Sequence, residues 1–197
     1  MCTIVEEPLL LTFPDQFETE RLTIRSPKPE DWKQIYTAMQ ASINELRPWL
    51  PFARKEQTEI DVQKTTKEAY LNFLSREDLR FHAFDKETGE FVISTGLHRI
   101  NWDVRKFEIG YWVDTKHRGN GYVTEVVTGL TTFAFRELQA NRVEIRCDPR
   151  NMKSKAVAER AGFELEGILR NDVIEENGEL RDTCIFAVIE DPIIDEK

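Results

Sequence analysis

No stretch of this chain is apolar enough, for long enough, to be a signal peptide or a membrane span; the leucine run Leu9-Leu10-Leu11 stops at three residues, against the roughly 20 that a spanning helix needs. Cysteine is scarce. Cys2, Cys147 and Cys184 form no Cys-x-x-Cys pair, and an odd count without a signal peptide predicts reduced thiols in the cytoplasm. There is no His-x-x-x-His and no carboxylate cluster beside His82, His98 or His117, so no metal site is expected. No Cys-His or Ser-His-Asp arrangement calls for a covalent acyl-enzyme. A P-loop and a Rossmann glycine turn are both missing, as are internal repeats and low-complexity segments. Positive charge is in deficit: 27 Lys and Arg against 36 Asp and Glu leave a net charge of −9. That argues against a nucleic-acid partner and suits a cationic substrate, although an acidic surface also serves solubility alone.

What is present fits one globular domain. The chain has 197 residues, 40% of them hydrophobic, which is enough to bury a substantial core. It is organised around residues 106–124. Phe107, Ile109, Tyr111 and Val113 alternate with Glu108, Gly110 and Trp112, as a pleated strand requires. Arg118-Gly119-Asn120-Gly121 follows, and then an amphipathic helix begins. A helix N-terminus offers unpaired N–H groups and a partial positive charge. Two glycines let the backbone wrap an anion without Cβ clashes. The stretch therefore reads as a phosphate-cradling strand–loop–helix.

In chain order, residues 1–18 read as a lead-in, and Leu22 and Ile24 mark a first strand. Trp32, Ile35, Tyr36, Met39 and Ile43 recur at helical spacing behind Pro29, which suits a helix start. Pro48 and Pro51 interrupt, and a second helix is expected over 58–76. Strands over 79–84, 91–100 and 106–113 form an antiparallel meander. The strand 106–113, a helix over 122–138 and a strand over 142–147 make a βαβ crossover, so these two strands are expected to be parallel. Asn151 is a natural N-cap for a helix over 152–161, and Gly162 its stop. Strands from 163–170 and 183–189 close the sheet, with a turn at 176–179. The fold class is α/β (α+β): a mixed, mostly antiparallel sheet with a central parallel crossover and flanking helices. An acidic tail, 190–197, ends the chain.

This order resembles the GNAT acetyltransferase fold over residues 19–189. Lys116-His117-Arg118-Gly119-Asn120-Gly121 resembles that family's Arg/Gln-x-x-Gly-x-Gly/Ala pyrophosphate loop, with Lys116 keeping the charge at the first position. Glu20-Arg21-Leu22, Leu46-Arg47-Pro48-Trp49-Leu50, Glu108-Ile109-Gly110-Tyr111-Trp112, Arg146-Cys147-Asp148-Pro149-Arg150-Asn151, Ala161-Gly162-Phe163 and Glu166-Gly167 bring it nearest the RimJ/RimL branch. The resemblance implies acetyl-CoA as cosubstrate and direct attack by an amine in a ternary complex. The acceptor it favours is a protein N-terminus; a polyamine, an aminoglycoside or another small amine is the alternative. A non-catalytic acyl-CoA-binding module would keep the loop without needing Glu108 or Ser154. A homodimer is a family-level expectation.

Site residues follow from the resemblance and from the chemistry together. Gly119, Asn120, Gly121, Tyr122, Val123 and Thr124 form the expected phosphate cradle. Arg118 either adds charge there or is a solvent-exposed loop cation. Backbone groups of Trp112 and Val113 would meet the pantetheine arm, with Asn151 hydrogen-bonding it. Glu108 is the candidate general base, because burial on a strand face would raise its pKa; the other reading is a structural carboxylate. Ser154, one turn past Asn151, is the candidate acid for the departing thiolate, or else a solvated serine behind an N-cap. Trp49, Phe52 and Trp102 lie in loops expected beside the cleft, where they would either bind the acceptor or pack.

Overall fold

The computed structural model describes residues 7–175 and 178–189. Its sheet has eight strands in the order β1-β2-β3-β4-β5-β6-β8-β7. In sequence these are β1 (Gln16–Glu18), β2 (Leu22–Arg25), β3 (Leu79–Asp85), β4 (Phe91–Asn101), β5 (Lys106–Val113), β6 (Arg142–Cys147), β7 (Glu164–Ile174) and β8 (Leu180–Val188). Four α-helices join them: α1 (Trp32–Leu46), α2 (Glu59–Ser75), α3 (Tyr122–Glu137) and α4 (Met152–Arg160). Every pairing is antiparallel except β5 with β6. Among the described residues no helix is long and apolar enough to cross a membrane.

The alternation in β5 sorts its side chains between two layers. Phe107 and Ile109 are buried in the main core with Val126, Val127 and Leu130 of α3, residues whose spacing puts them on one helical stripe. Trp112, on the other face, packs with Ile35, Ala38 and Met39 of α1 and with Phe84 and Phe91 of the sheet. Burying each such side chain stabilises the fold by about 1.5–3 kcal/mol, so both layers hold β5 in place. The site's central strand is thus clamped from both sides.

The opening in the sheet lies between β5 and β6. Their pairing runs only from Lys106↔Arg142 to Glu108↔Glu144. Beyond that, residues 109–113 and 145–147 have no partner across the gap, while β4 and β8 still pair with their outer edges. Strand backbone groups alternate in direction, so this gap presents unpaired N–H and C=O groups.

The sheet is larger than the periodicity predicts. Residues 16–18 form β1, and Phe13 and Phe17 belong to an aromatic cluster; Phe17 stacks on Phe133 at 4.9 Å and meets Phe81 edge-on at 5.6 Å. The stretch read as a lead-in therefore enters the core before residue 19. Its first six residues, the tail from Glu190, and Glu176 and Asn177 of the expected last turn lie outside the described residues. β7 and β8 are longer than their sequence pattern suggests. The reason is a register shift between Leu169 and Val173 with Asn171 in the left-handed region at φ 54°, an irregularity that breaks simple alternation.

Candidate functional site

One cleft of about 1330 Å³ runs through the gap between β5 and β6. The glycine loop and the starts of α3 and α4 line one end. Glu108, Arg99 and Asp172 line the other, and Trp49, Leu50 and Pro51 of the α1–α2 connection add to the wall.

At the first end Gly119 and Gly121 both adopt φ +81°, a conformation other residues reach only at a steric cost. Gly121 is the N-cap of α3 and supplies no side-chain acceptor, so the first N–H groups of that helix lack a cap and face the cleft. This is an anion site by construction. Arg21 fixes it from behind. Its Nε donates to Glu125 Oε2 at 2.8 Å and one terminal nitrogen to the Asn120 carbonyl at 2.9 Å, and the guanidinium sits 4.3 Å from the Tyr122 ring centroid. Tyr122 in turn donates to Asp85 at 3.0 Å. Arg118 is tied to Glu45 of α1 at 3.2 Å yet still lines the cleft. Asn120 is not in the cleft wall; it serves through the carbonyl that Arg21 grips. Arg160 of α4 donates to Thr124 at 3.4 Å and brings a second cation.

In the middle stand Tyr111, Cys147 and Ser154, a trio that alternation alone does not reveal. Asn151 accepts from the Ser154 N–H at 3.1 Å and caps α4. The Ser154 hydroxyl is 2.9 Å from the Tyr111 hydroxyl, and Cys147 lies within the Ser154 hydrogen-bonding sphere. Burial pushes the Tyr111 phenol up to about 12 and the Cys147 thiol up to about 11, with Ser154 pulling both the other way. An ordinary thiol ionises near 8.5. Complete proton transfer from Tyr111 to a departing thiolate is then uphill by roughly 3.5 units, about 5 kcal/mol. The trio suits hydrogen-bond donation to a thiolate rather than full protonation of it. Ser154→Ala leaves a charged sulfur one donor short, a loss of about 1.5–3 kcal/mol. The expected result is a kcat lower by about 10- to 100-fold, with acetyl-CoA affinity measured by calorimetry nearly unchanged. A loss of affinity at constant kcat makes Ser154 a binding residue instead.

The second end holds Glu108, whose side chain is 15% exposed. Burial is the main influence on its carboxyl and raises its pKa; Arg99 and Arg146 oppose this, and Glu144 adds to it. Arg99 reaches Glu108 at 3.1 Å because β4 bulges between His98 and Asn101, with Arg99 at φ 45°. Arg146 lies 4.0 Å from the same oxygen and 2.8 Å from Asp172. Trp49, Trp112 and Val113 line the cleft. Phe52 stands one layer back, with its ring 6.3 Å from that of Trp112. Trp102 is placed elsewhere: its indole donates to the Arg76 carbonyl at 3.0 Å and its ring meets Phe107 edge-on at 5.4 Å. It packs the core below the cleft. Among the described residues no group of three or more His, Cys, Asp or Glu could hold a metal ion.

Comparison with known proteins gives a family match: the acetyltransferase (GNAT) domain model covers residues 21–164. YdaF of Bacillus subtilis (strain 168), whose assignment as a ribosomal N-acetyltransferase is itself provisional, is 31% identical over 173 residues, 86% of this chain and 92% of that one. The ribosomal-protein-serine acetyltransferase of Escherichia coli (strain K12) is 31% identical over 134 residues, 68% of this chain and 70% of its own. Among solved structures, RimL, a ribosomal L7/L12 α-N-protein acetyltransferase in complex with coenzyme A, superposes with a TM-score of 0.81 at 22% identity, covering 88% of this chain and 96% of that one.

Proposed function

The chain belongs to the GNAT acetyltransferase family, and we propose that the amine it acetylates is the N-terminal α-amino group of a protein. It is an N-acetyltransferase that draws its acetyl group from acetyl-CoA. The observation that carries the reading is the gap after Glu108: it joins an uncapped helix N-terminus at one end to a half-shielded carboxylate at the other. The acceptor end opens to solvent at Arg99, whose side chain is 68% exposed. A chain terminus can enter there without the rest of its protein being enclosed. Relatives named for ribosomal-protein acetylation support the same acceptor class.

In this reading the N–H groups of residues 121–124 and Arg118 hold the cofactor phosphates, and β5 at Trp112 and Val113 holds the pantetheine arm, the Val113 backbone turning to the gap while Trp112 pairs with Ser94 of β4. A main-chain N–H of β5 faces the thioester carbonyl, where negative charge develops. Glu108 removes the proton that keeps the amine from attacking. An α-amino group, with a pKa near 8, must give up about 1.4 kcal/mol to be neutral at pH 7; a lysine, near 10.4, must give up roughly 4.6 kcal/mol. A single partly neutralised carboxylate is better matched to the smaller task. Trp49 and Trp112 flank the acetyl position, and Ser154 with Tyr111 receives the sulfur.

The test is an acceptor panel with purified protein and acetyl-CoA, read by thiol release and acceptor mass. Serine- and alanine-initiated peptides are expected to give kcat/KM values at least about tenfold above those for a polyamine or an aminoglycoside, the span of one pKa unit of acceptor basicity. A polyamine that outruns every peptide makes this a small-amine acetyltransferase.

A further inference from the structure

His98 reads in the sequence as one more residue of a hairpin strand. In the fold it is the direct cross-strand partner of Glu108. Its ring lies over a pair of opposed glycines, Gly96 and Gly110. A Cβ added to Gly96 would come within 2.8 Å of the imidazole, and one added to Gly110 within 3.0 Å. Neither position tolerates a side chain without moving the ring, so the two glycines form a seat for it. Asp78, in the α2–β3 turn, takes Nδ1 at 2.6 Å. Nδ1–H donation to a carboxylate leaves Nε2 with its lone pair. Nε2 lies 3.3 Å from where a Gly110 Cβ would stand, on the strand face that Gly110 shares with Glu108 and Trp112 and behind the cleft wall, and has no hydrogen-bond partner among the described residues. The side chain is 25% exposed, which gives it access to solvent. Asp78, Arg80 on β3, Arg99 on its own strand, Glu108 on β5 and Arg146 on β6 are the charged groups around it.

The stoichiometry of the reaction leaves a task for such a group. An acceptor that arrives as an ammonium sheds two protons while one C–N bond forms and one C–S bond breaks. The electron pair of the C–S bond leaves on sulfur. A single carboxylate can hold only one of the two protons. We propose that His98, oriented by Asp78, is the relay that takes the first proton from Glu108 and passes it to solvent, so that Glu108 is free to take the second. The first transfer makes the amine neutral and His98 an imidazolium facing the Asp78 carboxylate. Glu108 is then a carboxylate again when the attacking nitrogen turns cationic in the tetrahedral intermediate, and it removes that proton as the thiolate departs. Directly opposed strand residues have Cβ atoms about 4.5–5.5 Å apart, a span that a direct contact or one water bridges. This role rests on the N-acetyltransferase reading with Glu108 as base; it does not depend on which amine is used.

His98→Gln and His98→Gly test it, with Asp78→Asn as the variant that keeps the local packing. With a serine-initiated peptide, His98→Gln is expected to lower kcat about 10- to 100-fold, at or below the bottom of the range for losing a general base outright, because Glu108 itself remains. Acetyl-CoA affinity and the peptide KM are expected to stay within about twofold, since neither touches the ring. Added imidazole is expected to restore part of the His98→Gly rate, because the empty glycine seat admits it. Asp78→Asn is expected to lower kcat and to move the acid limb of the pH–rate profile. If the parent does not acetylate the peptide, the acceptor reading fails by itself. The same variants are then compared with whichever amine of the acceptor panel the parent does acetylate, because any ammonium sheds the same two protons there. Parental kcat and pH profile in His98→Gln, or a deficit that imidazole leaves untouched and that comes with lost acetyl-CoA affinity, overturns the relay and makes the His98–Asp78 pair structural.

Discussion

Glu108→Gln is expected to lower kcat/KM about 100-fold or more at pH 7, within the range for removal of a general base, and to recover part of the loss as pH rises. The substitution keeps size and hydrogen bonding but cannot accept a proton. Above the acceptor's own pKa the amine is already neutral, so the base matters less and the parent and variant curves converge. The sign of the parental acid limb follows from the carboxyl's surroundings. Burial lifts its pKa above the usual carboxylate range, while Arg99 and Arg146 pull it down. The group is active when ionised, so activity falls as pH drops through this raised value and is regained above it. Arg99→Ala removes the cation at 3.1 Å and is expected to shift that limb to higher pH. A Glu108→Gln profile that overlays the parent's shows that Glu108 is structural and that another group removes the proton.

Gly121→Val is expected to weaken acetyl-CoA binding by about 100-fold or more, with the fold retained. Two separate effects act on the loop. At φ +81° a β-branched residue is strongly disfavoured, at a cost on the order of 1–3 kcal/mol. The loop relaxes this by turning away, which rotates the N–H groups that face the cleft. Each charge-assisted N–H to phosphate bond is worth about 1.5–3 kcal/mol, and losing two corresponds to a 100-fold or greater drop in affinity. The core is not at risk, because the nearest atom to an added Cβ is the flexible end of Arg21, at 3.6 Å. Calorimetry with acetyl-CoA and a thermal melt of the free protein separate the two: affinity collapses while the melting temperature moves only by the local strain. Unaltered affinity removes the phosphate cradle from this loop.

Much of this was legible in the sequence because period and punctuation carry it. The alternation through Phe107, Ile109, Tyr111 and Val113 and the stripe through Val126, Val127 and Leu130 specify β5 and α3 by period alone. The glycines at 119 and 121 marked the loop because few other residues reach their backbone angles at low cost. What stayed hidden depends on contacts distant in sequence. Arg21 stands in an ordinary strand motif, yet it locks the loop almost a hundred residues away through Asn120 and Glu125. Arg99 reaches Glu108 only through a bulge with positive φ, and no residue type announces that. Tyr111 fits the apolar alternation, and its hydroxyl acquires meaning only when α4 brings Ser154 to it. Trp49, Phe52 and Trp102 look equivalent as loop tryptophans and phenylalanine. Direction separates them, since only Trp49 faces the cleft while Trp102 turns its indole to the Arg76 carbonyl and its ring to the core.

The most direct measurement uses one peptide with a free α-amino terminus and an internal lysine, incubated with the protein and acetyl-CoA and mapped by fragment mass. A single acetyl group on the terminal nitrogen, absent when the terminus is blocked beforehand, is the result expected for a cleft that admits a chain end to Glu108. Acetylation of the lysine, or equal acetylation of the blocked peptide, contradicts it.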